Sequence, residues 1–566
     1  MNHAEAAVLL QGVGSPFELA TESVLGRDVQ VFKQRERSMR EKVANSAVHG
    51  AKEFLVDEER RITFTEFVEL TWGAAHALLT DFGLRRHDRV GILSYNRPEW
   101  LIALFGVASA GGITVGLNGW WTSDEIVYAL NDSDCRYLIV DELLWERVQP
   151  LVGHSSALET IFYIGKNAPA GTVPIERLLV PRKDMPMVPV EEDDPFVLLY
   201  TSGTTGRSKG CITTHRGTVA QVQGIFYNFF LSALMRGATS PEGIMPTNPA
   251  AMLTSPLFHV AGLHSTVVTA MSSGAKLVFG PPRFDVERTL QIMERERITN
   301  WMAIPTLLQR LVNHPSVENY ELSNLTMIST GGAPTAPETA ARARQVFKTQ
   351  LNLATSYGLT ETHGMATSIG GDEYMARKNS VGLPSPMVEI RIVDDAHKPV
   401  PVGTPGHVLL GGATVTPGYW KRPQETAQTI IDGWLHTGDI GYLDAEGYLY
   451  ISDRAKDMVI RAGENVYCVE IENTLAEHPE IIEAAVYGVP DPDLGERVKA
   501  TVVLQVGSQL TAADVKAHVA RKLAKFKVPE EVDLTTDPLP RNPAGKLLKN
   551  ILRRTGTASF PPDTHL

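Results

Sequence analysis

The chain has 566 residues, 43% of them hydrophobic and 21% charged, with 53 basic against 65 acidic side chains and a formal net charge of −12. That length exceeds one ordinary core and the composition is that of a soluble globular protein, so two or more domains are expected, while the acidic balance argues against a general nucleic-acid or anionic-membrane surface. Three widely separated cysteines, Cys135, Cys211 and Cys468, form neither a metal spacing nor a disulfide framework, which suits a reducing cytoplasm.

At the N-terminus there is no basic region, and Ala4 to Leu10 are followed by no cleavage pattern, so no signal peptide is expected. Thr63 and Glu66 form a capping box for a helix that buries Phe67, Leu70, Ala74 and Leu78. A strand at 90–94, a helix at 98–110, a strand at 113–117, a helix capped by Thr122 and Glu125, and a strand at 137–140 follow. This alternation implies parallel sheet covered by helices. Residues 101–123 carry no formal charge over a length that spans a bilayer, but Gly106, Gly111, Gly112, Gly116 and Gly119 read better as helix, Gly-Gly turn and buried strand. Residues 181–194, ending in four acids, read as an exposed approach to the next segment. Residues 233–250 read as a mobile insertion.

The segment at 200–210, Tyr-Thr-Ser-Gly-Thr-Thr-Gly-Arg-Ser-Lys-Gly, follows the apolar run 197–200, which reads as a buried strand. Glycines let the backbone aim its N–H groups at one point, hydroxyls add donors without bulk, and Lys209 adds charge; together they suit a polyphosphate. The spacing is not Walker A, because Gly206 stands three residues before Lys209. Further on, 447–451 alternates as a strand and is followed by a charged run. Shorter units come next: a helix near 469–477, strands near 484–488 and 498–505, a helix near 512–524 and another after Lys546. The expected organisation is a large N-terminal domain at 1–452, a hinge at 453–456 and a smaller α+β domain at 457–566.

Five more motifs follow the phosphate loop in order: Leu257-Phe258-His259-Val260-Ala261-Gly262, Ser356-Tyr357-Gly358-Leu359-Thr360-Glu361, Trp434-Leu435-His436-Thr437-Gly438-Asp439, Asp453-Arg454-Ala455-Lys456-Asp457 and Pro540-Arg541-Asn542-Pro543-Ala544-Gly545-Lys546. From about residue 50 to about 555 the chain resembles the adenylate-forming superfamily of acyl-CoA synthetases, peptide-synthetase adenylation domains and luciferases. The resemblance implies an α/β fold, with parallel-rich sheets covered by helices and a small mobile α+β C-terminal domain. It implies ATP, Mg²⁺ and coenzyme A, with a small carboxylic acid as substrate, no nucleic acid and no transmembrane segment; a homodimer is compatible with it.

By the same resemblance, Thr201, Ser202, Gly203, Thr204, Thr205, Gly206 and Lys209 hold the β- and γ-phosphates. Gly331, Gly332 and Ala333 line adenine and the acyl group. Ser356, Tyr357 and Gly358 form the adenine side, Tyr357 by stacking, while Thr360 contacts phosphate and Glu361 holds Mg²⁺. Asp439 and Arg454 take the ribose, and Lys546 bridges the carboxylate and the α-phosphate. Lys456 is the pivot about which the C-terminal domain turns between adenylation and thiolation, after which Gly463 lines a pantetheine tunnel. Phe526 and Lys527 are weaker candidates for coenzyme A. Cys468 replaces a proline common in relatives and is expected to loosen its turn. His259 stands where amino-acid-activating relatives carry aspartate, and with the apolar run 260–275 it points to an uncharged acyl chain. The expected activity is an acyl-CoA synthetase for an apolar monocarboxylic acid, a medium- or long-chain fatty acid or a bulky alicyclic or steroid side-chain acid. An aryl or cinnamate-type CoA ligase, an acyl-AMP ligase serving a carrier protein and an idle nucleotide-binding module stay open beside it.

Overall fold

The computed structural model describes residues 2–151, 157–201, 207–238, 246–332, 335, 337–347, 351–377, 379–462, 464–541 and 547–555. Both capping boxes form: Thr63 starts the helix Phe64–Thr80 and Thr122 the helix Ser123–Asp132. The uncharged stretch folds as expected, into the wholly buried helix Pro98–Ser109 and the buried strand Ile113–Gly116. Among the described residues no helix is long and apolar enough to cross a membrane.

Two large sheets carry the N-terminal part. In the seven-stranded sheet, strands Val173–Pro174, Thr160–Ile164, Cys135–Asp141, Arg89–Leu93, Ile113–Gly116 and Pro195–Thr201 run parallel, and Lys209–Thr214 closes the edge antiparallel. The second, fourteen-stranded sheet has a parallel centre made of Glu53–Asp57, Lys276–Phe279, Ala250–Leu253, Asn300–Ala303, Met327–Thr330 and Asn352–Leu359. It continues antiparallel through Gly364–Gly370, Ser380–Pro384, Leu449–Arg454, Trp434–Leu443, Gly406–Gly412 and Val388–Val393. The two sheets are fastened where Asn96 accepts from the Leu257 amide at 3.0 Å and donates to the Ser255 carbonyl at 2.9 Å.

From residue 459 on, a five-stranded sheet with helices Cys468–Ala476, Ala512–Ala520 and Lys549–Thr555 forms its own core around Val459, Val466, Ile471, Val486 and Val502. The helix Pro305–Val312 reaches it through Gln309, whose amide donates to the Ile482 carbonyl at 2.7 Å.

Three expectations need correction. Residues 181–194 are not uniformly an exposed approach: Glu192 pairs with the enclosed Arg35 at 2.5 Å and Asp194 with Arg86 at 2.8 Å. Those pairs hold the acidic run against the body of the protein. The segment 233–250 begins inside the helix His215–Met235 and ends on a strand that starts at Ala250. Its residues 239–245 lie outside the described residues. Finally, the strand expected at 447–451 runs to Arg454, so the turn begins only at Ala455.

Candidate active site

Parallel strands present their carboxyl ends on one edge, where the following loops gather. Met327–Thr330 leads into Gly331 and Gly332, Asn352–Leu359 into Thr360 and Glu361, and Pro195–Thr201 into the loop expected to hold phosphate. The strand Lys209–Thr214 pairs antiparallel with Pro195–Thr201, Thr201 opposite Lys209. This explains why the spacing is not Walker A: a strand follows the loop, and the helix His215–Met235 starts only after it.

Tyr357 and Gly358 lie within the strand, and only Thr360–Thr362 turn. The ladder slips between Tyr357 and Gly358, and a Cβ on Gly358 would stand 1.8 Å from the Gly364 carbonyl oxygen. Only glycine allows that approach. Asp439 likewise lies within a strand, Trp434–Leu443, directly opposite Arg454. Gly438, at φ +75°, and a register shift after Ile440 make this stretch of the strand irregular.

This pairing assembles three expected residues. The Tyr357 hydroxyl donates to Asp439 Oδ2 at 2.6 Å, and Arg454 Nε lies 2.8 Å from Asp439 Oδ1. The Asp439 amide donates to Thr437 Oγ1 at 3.1 Å. Burial and the adjacent carboxylate push the Tyr357 phenol well above its usual range, which keeps it a donor. A buried carboxylate held between a phenol and a guanidinium is fixed in orientation and rich in acceptor capacity, which suits a diol.

A second group forms around Glu361. Its Oε1 accepts from the Tyr419 hydroxyl at 2.7 Å, and its carbonyl accepts from the Thr416 amide at 2.8 Å. Lys209 Nζ lies 5.2 Å from the centre of the Tyr419 ring. The loop that carries Tyr419 lies along the strand after the phosphate loop: Ile212 N–H donates to the Gly418 carbonyl at 3.0 Å and Trp420 N–H to the Gly210 carbonyl at 2.7 Å. Tyr419 and Thr416 were missed from the sequence, although Gly418-Tyr419-Trp420 beside a proline was a visible signal. Glu361 is a hard oxygen donor and fits Mg²⁺, which binds through one or two carboxylates and completes its shell with phosphates and water. Among the described residues, no group of three or more His, Cys, Asp or Glu side chains could hold a metal ion.

His259 stands apart from both groups. Its ring packs 4.7 Å from the Phe258 ring, and its Nε2 is enclosed without a hydrogen-bond partner. Burial pulls its pKa down to about 4, so it is neutral at pH 7. Phe258 in turn meets Trp120 edge-on at 5.4 Å. The run 260–275 winds as a π-helix, Ala261–Val268, and a short α-helix, Thr269–Ser273.

Lys456 is exposed in the turn 455–457, which the Asp457 amide closes on the Arg454 carbonyl at 2.9 Å. Cys468 does not loosen this region. Its amide donates to Asp453 Oδ2 at 2.5 Å and its thiol to the Asp457 carbonyl at 3.2 Å; a proline would lack that amide donor. Lys527 pairs with Glu470 at 2.6 Å. Ser202, Gly203, Thr204, Thr205, Gly206, Ala333, Gly463 and Lys546 lie outside the described residues.

The comparisons with known proteins agree with this layout. A family model described as AMP-binding enzyme matches residues 42–420, and one described as AMP-binding enzyme C-terminal domain matches 470–546. The chain is 33% identical to the feruloyl-CoA synthase of Amycolatopsis sp over 472 residues, covering 83% of this chain and 89% of that protein. It is 31% identical to the long-chain-fatty-acid–CoA ligase of Bacillus subtilis (strain 168) over 512 residues, covering 84% and 87%. The crystal structure of the anthranilate CoA ligase AuaEII in complex with anthranoyl-AMP superposes with a TM-score of 0.81 at 26% identity, covering 91% of this chain and 96% of that one. The chain belongs to the AMP-binding enzyme family and is an acid–thiol ligase.

Proposed function

We propose that this protein is an ATP-dependent acyl-CoA synthetase for an uncharged, apolar monocarboxylic acid. A carboxylate resists nucleophiles, and oxide is a hopeless leaving group. In the first half-reaction a carboxylate oxygen attacks the α-phosphorus of ATP; the new O–P bond gives acyl-AMP, and pyrophosphate leaves. In the second the sulfur of coenzyme A attacks the acyl carbon, the thiol proton is lost and AMP departs.

The single observation that carries this reading is the Tyr357–Asp439–Arg454 set together with Glu361, which offers a ribose acceptor on the paired strands Trp434–Leu443 and Leu449–Arg454 and a metal carboxylate just past the strand Asn352–Leu359. Asp439 would take the ribose hydroxyls, held in place by Arg454 and Tyr357. Thr201 and Lys209, with the loop between them, would hold the β- and γ-phosphates. When bound, Mg²⁺ would supply charge neutralisation at the phosphates, through Glu361. Lys546 would approach the reacting oxygens from the second domain. In support, the base of its loop is closed by the Arg541–Leu547 bridge, and Arg541 pairs with Glu483, the neighbour of the Ile482 that Gln309 holds.

An aryl acid is the second reading, favoured by the Trp120–Phe258–His259 series of rings beside the apolar helix. One experiment tests both: pyrophosphate release over a panel of fatty, alicyclic, aryl and amino acids, with coenzyme A, with a carrier protein and with neither. Fatty, alicyclic or aryl acids are expected to release pyrophosphate, and coenzyme A to accept the acyl group. Efficient activation of free α-amino acids alone would refute the reading.

A further inference from the structure

His363 stands two residues after Glu361 and has no place in the chemistry above. It is fully buried and takes the left-handed region at φ +57°, an uncommon state for a residue other than glycine. Both of its ring nitrogens are engaged. The Thr214 amide donates to Nε2 at 2.7 Å, so Nε2 carries no proton, and Nδ1–H donates to the Thr414 carbonyl at 2.8 Å. Its own carbonyl accepts from His264 Nδ1 at 2.8 Å.

Each partner belongs to a different part of the site. Thr214 ends the strand that leaves the phosphate loop, and its hydroxyl accepts from the Gly217 amide at 3.0 Å to start the helix His215–Met235. Thr414 opens the loop whose Thr416 and Tyr419 hold Glu361 by backbone and side chain. His264 lies on the π-helix that follows His259. Space for the ring is left by Gly217: a Cβ there would stand 2.3 Å from His363 Nε2.

We infer that His363 is a positioning residue for the metal carboxylate. Its imidazole locks the 360–362 turn to the phosphate-loop strand and to the 414–419 loop, so that Glu361 and Lys209 are held in one register. This rests on the reading of Glu361 as the Mg²⁺ ligand. A neutral imidazole is the side chain that accepts at one end and donates at the other across this gap. Asparagine keeps only the donor near Nδ1; glutamine keeps only the acceptor near Nε2. Partners of this kind, one shell out from a metal ligand, change metal affinity on the order of 10–100-fold when removed.

The test is ATP binding by calorimetry, without acid and therefore without turnover, across a Mg²⁺ titration and in EDTA. His363→Asn and His363→Gln are each expected to raise the Mg²⁺ needed for half-maximal binding by about 10-fold, with binding in EDTA unchanged. Gly217→Ala displaces the ring without removing any hydrogen-bonding group, and is expected to shift the Mg²⁺ midpoint the same way. If the variants melt earlier but keep the wild-type midpoint, His363 is only a packing residue and the inference fails. Glu361→Gln, run in parallel, separates the two readings. A shift in Glu361→Gln without a shift in the His363 or Gly217 variants overturns this inference alone. No shift in Glu361→Gln overturns the metal assignment beneath it.

Discussion

Asp439 serves two partners at once, and both contacts use its carboxylate oxygens. Asp439→Asn keeps the shape but removes the charge that Arg454 pairs with at 2.8 Å, and it sets an amide group against either Arg454 or the Tyr357 hydroxyl. Hydrogen bonds to charged groups are worth about 1.5–3 kcal/mol, so ATP affinity is expected to fall on the order of 10–100-fold, as measured by calorimetry. Lys546→Ala separates the half-reactions instead. Acyl-AMP formation is expected to fall on the order of 10²–10³-fold, as for loss of one transition-state charge contact, while thiolation of supplied acyl-AMP persists; equal damage to both would remove the lysine from its role. At this scale the sequence was informative wherever a residue stood inside a motif, as Tyr357, Asp439 and Arg454 did. It was silent on Tyr419 because an aromatic pair beside glycine also describes ordinary core. It was silent on His363 because the meaning of that side chain lies in Thr214 and Thr414, which only the fold brings together.

The turn between the two parts of the chain is gripped from the C-terminal side. Asp453 accepts from the Cys468 amide at 2.5 Å and from the Arg454 amide at 2.7 Å, while Lys549 pairs with Glu472 at 2.8 Å nearby. Burial pushes the Asp453 carboxyl up to about 6, against the opposing influence of Lys549 and the two amides. An unfolded aspartate titrates near 4. Between those values the folded state binds the proton that the unfolded state has released, so raising the pH through this window removes stability, and the loss is complete above the folded value. Asp453→Asn abolishes this dependence. The melting temperature of the variant relative to wild type is expected to climb as pH rises from 4.5 to 7.5; a flat difference would show that Asp453 ionises normally. The strand, the turn and the helix of this region were legible from alternation and charge, but the short strands Val459–Arg461 and Glu464–Val466 between turn and helix were not. The end of the strand was not, because Asp453 and Arg454 are charged residues held in sheet by Asp439 and Ile440 across the ladder. The insertion expected from 233 overlaps the end of the helix His215–Met235, which is held by distant packing. Tyr227 packs against Phe17 and Phe32, and Phe230 against Phe17, contacts that no local pattern reveals.

Across the molecule, the site depends on how the small sheet addresses the large one. Lys456 is exposed in a short turn, and proline there fixes φ near −65° and deletes an amide. Lys456→Pro is expected to favour one domain orientation and so to damage adenylation and thiolation unequally, in single-turnover assays of each step; wild-type rates in both would show that no rotation about Lys456 is required. The two-part plan and the α/β class were readable from motif order and alternating elements. The fourteen-stranded sheet was not, since its strands pair across great separations in sequence. One such pairing constrains how the protein is made. Leu55 lies beside Leu277, about 220 residues later in the chain, and Phe54, Leu55 and Val56 are fully buried once there. A ribosome adding about 5–20 residues per second exposes these three apolar side chains on the order of ten to forty seconds before their neighbour strand exists. The seven-stranded sheet, whose strands all lie between residues 89 and 214, is complete first. The nascent chain therefore carries a strand with one edge unmatched while those residues are made, and sheltering of 53–57 during that interval is expected to raise the folded yield.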